Sequence, residues 1–190
     1  MINLTPPQGS PRKIFQQKYN TARGNLLIVA VFTVLNMGMA IVQNFSYFMF
    51  SAFIPYFTTY TGMVLSGMLP DEFYTGEYED AAIFGKEAFY IALAVAVVIL
   101  MLYVVCWLFS KDNGFGWMTF ALVLFGIDSL ALIAFNGFSS VMIFDILFHI
   151  WVMFYLVNGV IAAKKLKNLP LEQEDTEVQT EEQEGRGYDE

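Results

Sequence analysis

Cysteine occurs once, at Cys106, and histidine once, at His149. A single thiol excludes an internal disulfide and a CxxC redox centre. That removes the thiol-exchange oxidoreductases built like the quinone-linked four-helix family. A single imidazole removes HExxH metallohydrolases. Charge is scarce too: Asp, Glu, Lys and Arg make up 15% of the 190 residues, against about 25% in an average soluble domain. No charged residue stands between Arg23 and Asp71. P-loop, kinase, peptidase and transporter signatures are missing from the sequence, and nothing in it asks for a cofactor. These shortages argue against a soluble enzyme, a nucleic-acid-binding domain and a disordered chain.

What the chain has is apolar surface, with 56% hydrophobic and 17% aromatic residues. A membrane-spanning helix needs roughly 20 mostly apolar residues. Three runs meet that need cleanly: 88–109, 117–136 and 141–163. A fourth comes first, at about 24–48, and its apolar character continues to Leu69. One helix through all of it would far exceed the hydrocarbon core, roughly 30 Å thick. A break is therefore expected near Ser51 and Pro55, because proline ends or kinks a helix. The rest, rich in Tyr and Thr at Tyr56, Thr58, Thr59, Tyr60 and Thr61, is expected to be interfacial or re-entrant. A fifth full span there remains the alternative. The expected fold class is all-α: a polytopic four-transmembrane-helix bundle with an interfacial or re-entrant segment after the first span.

Three regions follow. Residues 1–23 form a basic leader on a short helix or turn along the membrane face. Residues 24–167 form the bundle, with an outer segment at 49–87. Residues 168–190 form an acidic tail, where like charges and few apolar groups predict disorder. The tail supplies much of the net charge of -8, so that charge does not argue for a basic partner. No cleavable signal peptide is expected, since the first apolar run begins only at residue 24 and is too long for one.

Orientation follows from the distribution of cations. With four spans, Arg12, Lys13, Lys18, Arg23, Lys111, Lys164, Lys165, Lys167 and Arg186 share one side, and only Lys86 lies on the other. The sequence therefore predicts a multi-pass protein of the plasma membrane with both termini cytoplasmic. A fifth span would place one basic cluster outside. The loop before Ala88 is outward and acidic, with Asp71, Glu72, Glu77, Glu79, Asp80 and Glu87. A solvated loop with a helix start near Glu79 and a surface for a cation or cationic partner are both compatible with it. It has no EF-hand spacing.

Ionisable groups within a span are costly and point to function or to packing. Asp128, Asp145 and His149 are the three here. Asp128 lies eight residues before Asn136, and His149 eight residues after Val141. Both should therefore sit roughly 12 Å below the outer boundary. The short GFSS turn makes their helices antiparallel neighbours. Asp145 and His149, four apart, share a face. Gln43 and Asn44 should approach the same depth, and Tyr90 could add a hydroxyl. The candidate cluster is thus Asp128, Asp145, His149, Gln43 and Asn44. It could be structural glue between helices, a polar pocket or ion path, or a metal site using Asp128, Asp145 and His149. A Ser–His–Asp hydrolase using Ser129, Ser139 or Ser140 can also be drawn. Ala88, Ala92 and Ala96, with Gly38 and Gly126, suit close helix packing. Tyr19, Tyr103, Trp107 and Trp117 suit the cytoplasmic aromatic belt.

The stretches YNTARGNLLIVAVFTVLNM and YFMFSAFIPYF resemble the opening of small uncharacterised four-span membrane proteins of Gram-positive gut and soil bacteria. The resemblance is strongest over Arg23 to Tyr56. It implies a bacterial plasma-membrane location and carries no activity. The leading functional expectation is a non-enzymatic protein that binds, scaffolds or regulates another membrane component through its outward polar cluster and acidic loop. The alternatives are a subunit of a small-solute or ion transporter or channel, and a membrane-embedded hydrolase acting on lipid or envelope substrate. Expected partners are the lipid bilayer and either a membrane protein or a second copy, with no nucleic acid and no cofactor.

Overall fold

The computed structural model describes residues 10–44, 48–75, 83–137 and 142–169. Six helices occur among them: α1 (Pro11–Ile41), α2 (Phe53–Ser66), α3 (Asp71–Tyr74), α4 (Lys86–Phe109), α5 (Phe115–Asn136) and α6 (Ile143–Asn168). No strand is present among these residues. Four of the helices, α1, α4, α5 and α6, are long and apolar enough to cross a membrane. Their outward faces carry large apolar side chains, among them Val34 on α1, Val98 on α4, Leu130 on α5 and Phe154 on α6. Polar groups lie inside instead: Thr33, Asn36, Asp128 and His149 are all buried. Apolar periphery and polar interior suit lipid as the solvent. The chain is a multi-pass α-helical membrane protein by this composition and helix length.

The first long helix differs from the sequence expectation at both ends. It begins at Pro11 and ends at Ile41, whereas the expected span was about 24–48. Ser10 explains the early start. Its hydroxyl accepts from the Lys13 backbone N–H at 3.2 Å, and Pro11 occupies the first helical position. Residues 11–23 of the basic leader are thus continuous with the span rather than a separate element, and residues 1–9 lie outside the described residues. The helix stops where Gln43 adopts a left-handed backbone, φ 58°. The other three helices lie within a few residues of their expected limits. The loop acids Glu77, Glu79 and Asp80, the expected helix start near Glu79, and the acidic tail beyond Leu169 lie outside the described residues.

The long helices form a ring in the order α1, α6, α5, α4. One end, the lower, gathers the start of α1, the end of α4 and the end of α6. Tyr19 donates its hydroxyl hydrogen to the Ser110 carbonyl at 2.6 Å. Arg23 donates to Ser110 Oγ and to the Trp107 carbonyl, each at 3.1 Å. A guanidinium on the Trp107 carbonyl, in the last turn of α4, satisfies a group the helix cannot satisfy itself, and it complements the helix dipole. Arg12 reaches the Leu169 carbonyl at 3.0 Å. Tyr103 does not join an aromatic belt. It is fully buried in the core against Phe125.

The upper end is filled by α2, which packs on α4, α1 and α5. At 14 residues it is roughly 21 Å long, too short to cross the hydrocarbon core. Its path is a dip and return. The chain leaves α1 at Ile41, descends until Ala52 meets Thr33, and climbs through α2 until the Met68 carbonyl accepts from Gln43 Nε2 at 2.7 Å. Segment 42–68 therefore begins and ends at the same end of α1.

Two close approaches set the helix spacing. A Cβ on Gly62 would overlap Ala92 and press on the backbone of Phe89, so α2 and α4 touch there through a glycine. A Cβ on Gly159 would overlap that of Ala22, with Met118 alongside, so α1 and α6 touch in the same way. Of the sequence-expected small residues, Ala92 and Ala96 serve packing. Gly38 faces open space and Gly126 has only the Met153 methyl nearby. Gly159→Val should push α1 from α6 and cost about 2–3 kcal/mol, as overpacking does. The check is the unfolding midpoint in mixed micelles, and an unchanged midpoint would count against the close α1–α6 contact.

Candidate functional site

The residues that position the site lie where the chain turns into α2. Irregular backbone within an apolar bundle must find hydrogen-bond partners in protein, because lipid offers none. Residues 48–52 are the irregular stretch; α1 bonds it, α5 bonds the first turn of α2 that follows, and α6 supports α5. From α1, Asn36 donates from Nδ2 to the Phe48 carbonyl and to Ser51 Oγ, both at 2.7 Å. Its Oδ1 accepts from the Phe48 N–H at 2.8 Å. Thr33 Oγ1 accepts from the Ala52 N–H at 2.8 Å, while its own hydrogen goes to the Val29 carbonyl at 2.7 Å.

From α5, Asp128 completes the turn. Ala52, the residue preceding α2, has no side chain to cap the helix. Asp128 takes that role from a distant part of the sequence. Its Oδ2 accepts from the Phe53 N–H and its Oδ1 from the Ile54 N–H, both at 2.8 Å. A carboxylate here satisfies two otherwise orphaned donors and sits at the positive end of the α2 dipole. The residue is 0% exposed.

From α6, His149 supports Asp128. Its Nδ1 lies 2.8 Å from the Asp145 backbone carbonyl, which can only accept, so Nδ1 carries hydrogen and donates. Nε2 is then left facing Asp128 Oδ2 at 3.2 Å. A single proton held between Nε2 and Oδ2 leaves the pair with no net charge, the form in which buried polar groups of this kind are tolerated. The ring stacks on Phe125, centroids 5.0 Å apart, with Phe148 edge-on at 5.9 Å. Both ring nitrogens are thereby engaged, and neither faces a serine hydroxyl.

The structure therefore brings Asp128 and His149 into contact and places Asp145 one turn away. It does not bring in Gln43 or Asn44 through the bonds just described. Gln43 lies beyond the end of α1 with its side chain on Met68, and Asn44 follows it there, outside the helix. The expected approach of both to the cluster fails because α1 ends before them. Tyr90 is 65% exposed and points away from the cluster. Ser129 donates to the Phe125 carbonyl of its own helix at 2.8 Å. Ser139 and Ser140 lie outside the described residues. Among the described residues no three His, Cys, Asp or Glu side chains converge as a metal site. Asp145 meets His149 through its backbone carbonyl rather than its carboxylate, which breaks the drawn three-ligand set. Cys106 is a buried free thiol.

Asp145 is only 6% exposed, and its Oδ1 has no hydrogen-bond partner. It lines a cavity of about 400 Å³ at the upper end between α2 and α6. Phe53, Tyr56, Phe57 and Tyr60 of α2 form one wall, and Leu132 and Asn136 of α5 contribute a second. The cavity exists because α2 packs on α4 and α5 while α6 packs on α1 and α5, leaving a gap between α2 and α6. Neither Thr33 nor Asn36 stands among the candidate residues named from the sequence. A buried-polar signal existed in both, but their partner, the returning 48–52 backbone, has no signature in side chains. Compared with protein-family models, curated proteins and solved structures, the chain matches none of them.

Proposed function

We propose that the chain is a non-catalytic integral membrane protein that binds a small ligand or another membrane component at its upper end. In this reading the upper end faces outward from the plasma membrane, both termini face the cytoplasm, and segment 42–68 is a re-entrant hairpin. The distribution of cations supports the orientation: Arg12, Lys13, Lys18, Arg23, Lys164, Lys165 and Lys167 all belong to the lower half. The dip and return of the chain beside α1 supports the hairpin.

The observation that carries the binding function is the division of labour among the intramembrane ionisable groups. Asp128 and His149 are spent on holding the start of α2. Asp145 is buried, has an oxygen without a partner, and opens on a cavity large enough for a small ligand. Buried polar atoms are nearly always paired, so an unpaired one at a cavity points to a missing partner.

Native mass spectrometry of protein extracted from its own membrane in a maltoside detergent tests this. The wild type should carry a bound molecule or subunit at defined stoichiometry. Asn136→Trp, which fills the cavity, should keep the fold and lose it. A bare wild type, or unchanged occupancy in the filled variant, would sink the proposal.

A further inference from the structure

We infer that the cavity between α2 and α6 recognises an alkylammonium group, with the Asp145 carboxylate as its counter-ion and the α2 rings as its wall. This deepens the binding reading above and rests on it. Three features select the ligand class.

The first is charge. No Lys or Arg among the described residues forms an ion pair with Asp145, and the neighbouring His149 is already matched to Asp128. A neutral ligand would leave the carboxylate unpaired and an anion would be repelled. A cation with N–H donors gives the Asp145 carboxylate a charge-assisted hydrogen bond.

The second is the wall. Phe53 and Phe57 stack at 5.1 Å, Phe57 leans on Phe135 at 4.7 Å, and Tyr56 stacks on Tyr60 at 6.4 Å. The two i, i+4 pairs along α2 and the contact to Phe135 of α5 hold several rings in fixed positions. Aromatic faces attract organic cations through their quadrupole and accept alkyl groups equally well.

The third is the donor count. A hard inorganic cation takes six or more oxygen ligands. The lining offers one carboxylate among Phe, Tyr, Leu and Met side chains, with the amide of Asn136. That mixture suits an ammonium carrying a hydrocarbon substituent. The same group occurs on a soluble amine and on an aminophospholipid headgroup.

The test uses the full chain in dodecyl maltoside, whose head is uncharged. Thermal unfolding is followed with n-butylammonium chloride, with sodium chloride at equal ionic strength, and with n-butanol. A ligand that binds only the folded state raises the melting temperature, through a stabilisation of RT ln(1 + c/Kd) at free ligand concentration c. The wild type should be stabilised by butylammonium beyond the sodium control and beyond butanol. Asp145→Asn should bind it about tenfold or more weakly. Tyr60→Leu, which leaves the carboxylate intact, should bind it about threefold more weakly and guards against misfolding of the first variant.

No response of the wild type beyond sodium chloride, or an equal response in Asp145→Asn, would overturn the inference. So would equal stabilisation by butanol. In each of those cases occupancy lost in Asn136→Trp would still uphold the binding reading, so the two failures are distinct. Native mass spectrometry with equal phosphatidylethanolamine and phosphatidylglycerol identifies the source. Selective retention of phosphatidylethanolamine, lost in Asp145→Asn, assigns a lipid headgroup. A butylammonium response without such retention assigns a soluble amine. Either result supports the inference.

Discussion

Asp128→Ala should destabilise the bundle by about 3–5 kcal/mol, the range for breaking a buried ion pair from one side. Three losses add up. The Phe53 and Ile54 N–H groups lose their acceptors, the start of α2 loses its only side-chain cap, and His149 loses its counter-ion. Neither amide can turn to water within an apolar bundle, so each loss is felt in full. His149→Ala should cost less, because both amide bonds to Asp128 survive it. Asp128→Asn should fall between wild type and alanine. Its amide offers one oxygen where two N–H groups need acceptors, and its NH2 would face a donor. Unfolding in mixed dodecyl maltoside and SDS micelles measures the series. Asp128→Ala matching the wild type would refute the clamp.

The second large effect is expected at Asn36. Asn36→Leu keeps the volume and removes three hydrogen bonds at once, to the Phe48 carbonyl, the Phe48 N–H and Ser51 Oγ. The orphaned backbone should cost about 2–4 kcal/mol, a sum reduced by partners found in the unfolded state within the membrane. Unlike Asp128→Ala, this variant leaves α2 itself capped. Its signature should be loosening of residues 48–52 with α2 still packed on α4. Limited proteolysis after Phe48 or Phe50 should report it, and cleavage no faster than in the wild type would contradict the assignment.

Much of this architecture could be read from the chain because lipid imposes one strong rule. Runs of about 20 apolar residues mark helices that cross the bilayer, and three of the four were bounded within a few residues. The first was not. Its hydrophobicity begins at Gly24, but Ser10 and Pro11 start the helix one leader earlier, and a capping signal is weaker than an apolar run. Its end was obscured for the opposite reason. Residues 42–52 carry no charge and are rich in aromatics, so no charged boundary marked Gln43, where the backbone turns left-handed.

The site divides in the same way. Asp128 and His149 could be matched by depth, since a tight turn fixes the register of the two helices it joins. Gln43 and Asn44 could not, because their place depended on where α1 stops. Pairing Asp128 with the Phe53 and Ile54 amides was out of reach for a physical reason. Their sequence separation is more than 70 residues, and the partner is backbone, which every residue has. Asp145, near its helix end, is slightly more exposed than Asp128, at 6% against 0%, yet still buried, because it lies beside α2, an element whose packing on the bundle the sequence left open.

The central claim is that a carboxylate in the middle of the bundle holds the first turn of α2. Amide hydrogen exchange at Phe53 and Ile54, compared between wild type and Asp128→Asn in lipid nanodiscs, tests it most directly. Both amides should be protected in the wild type, and at least one should exchange about tenfold or more faster in the variant while α5 and α6 keep their protection. Equal protection of both amides in a folded Asp128→Asn protein would contradict the account.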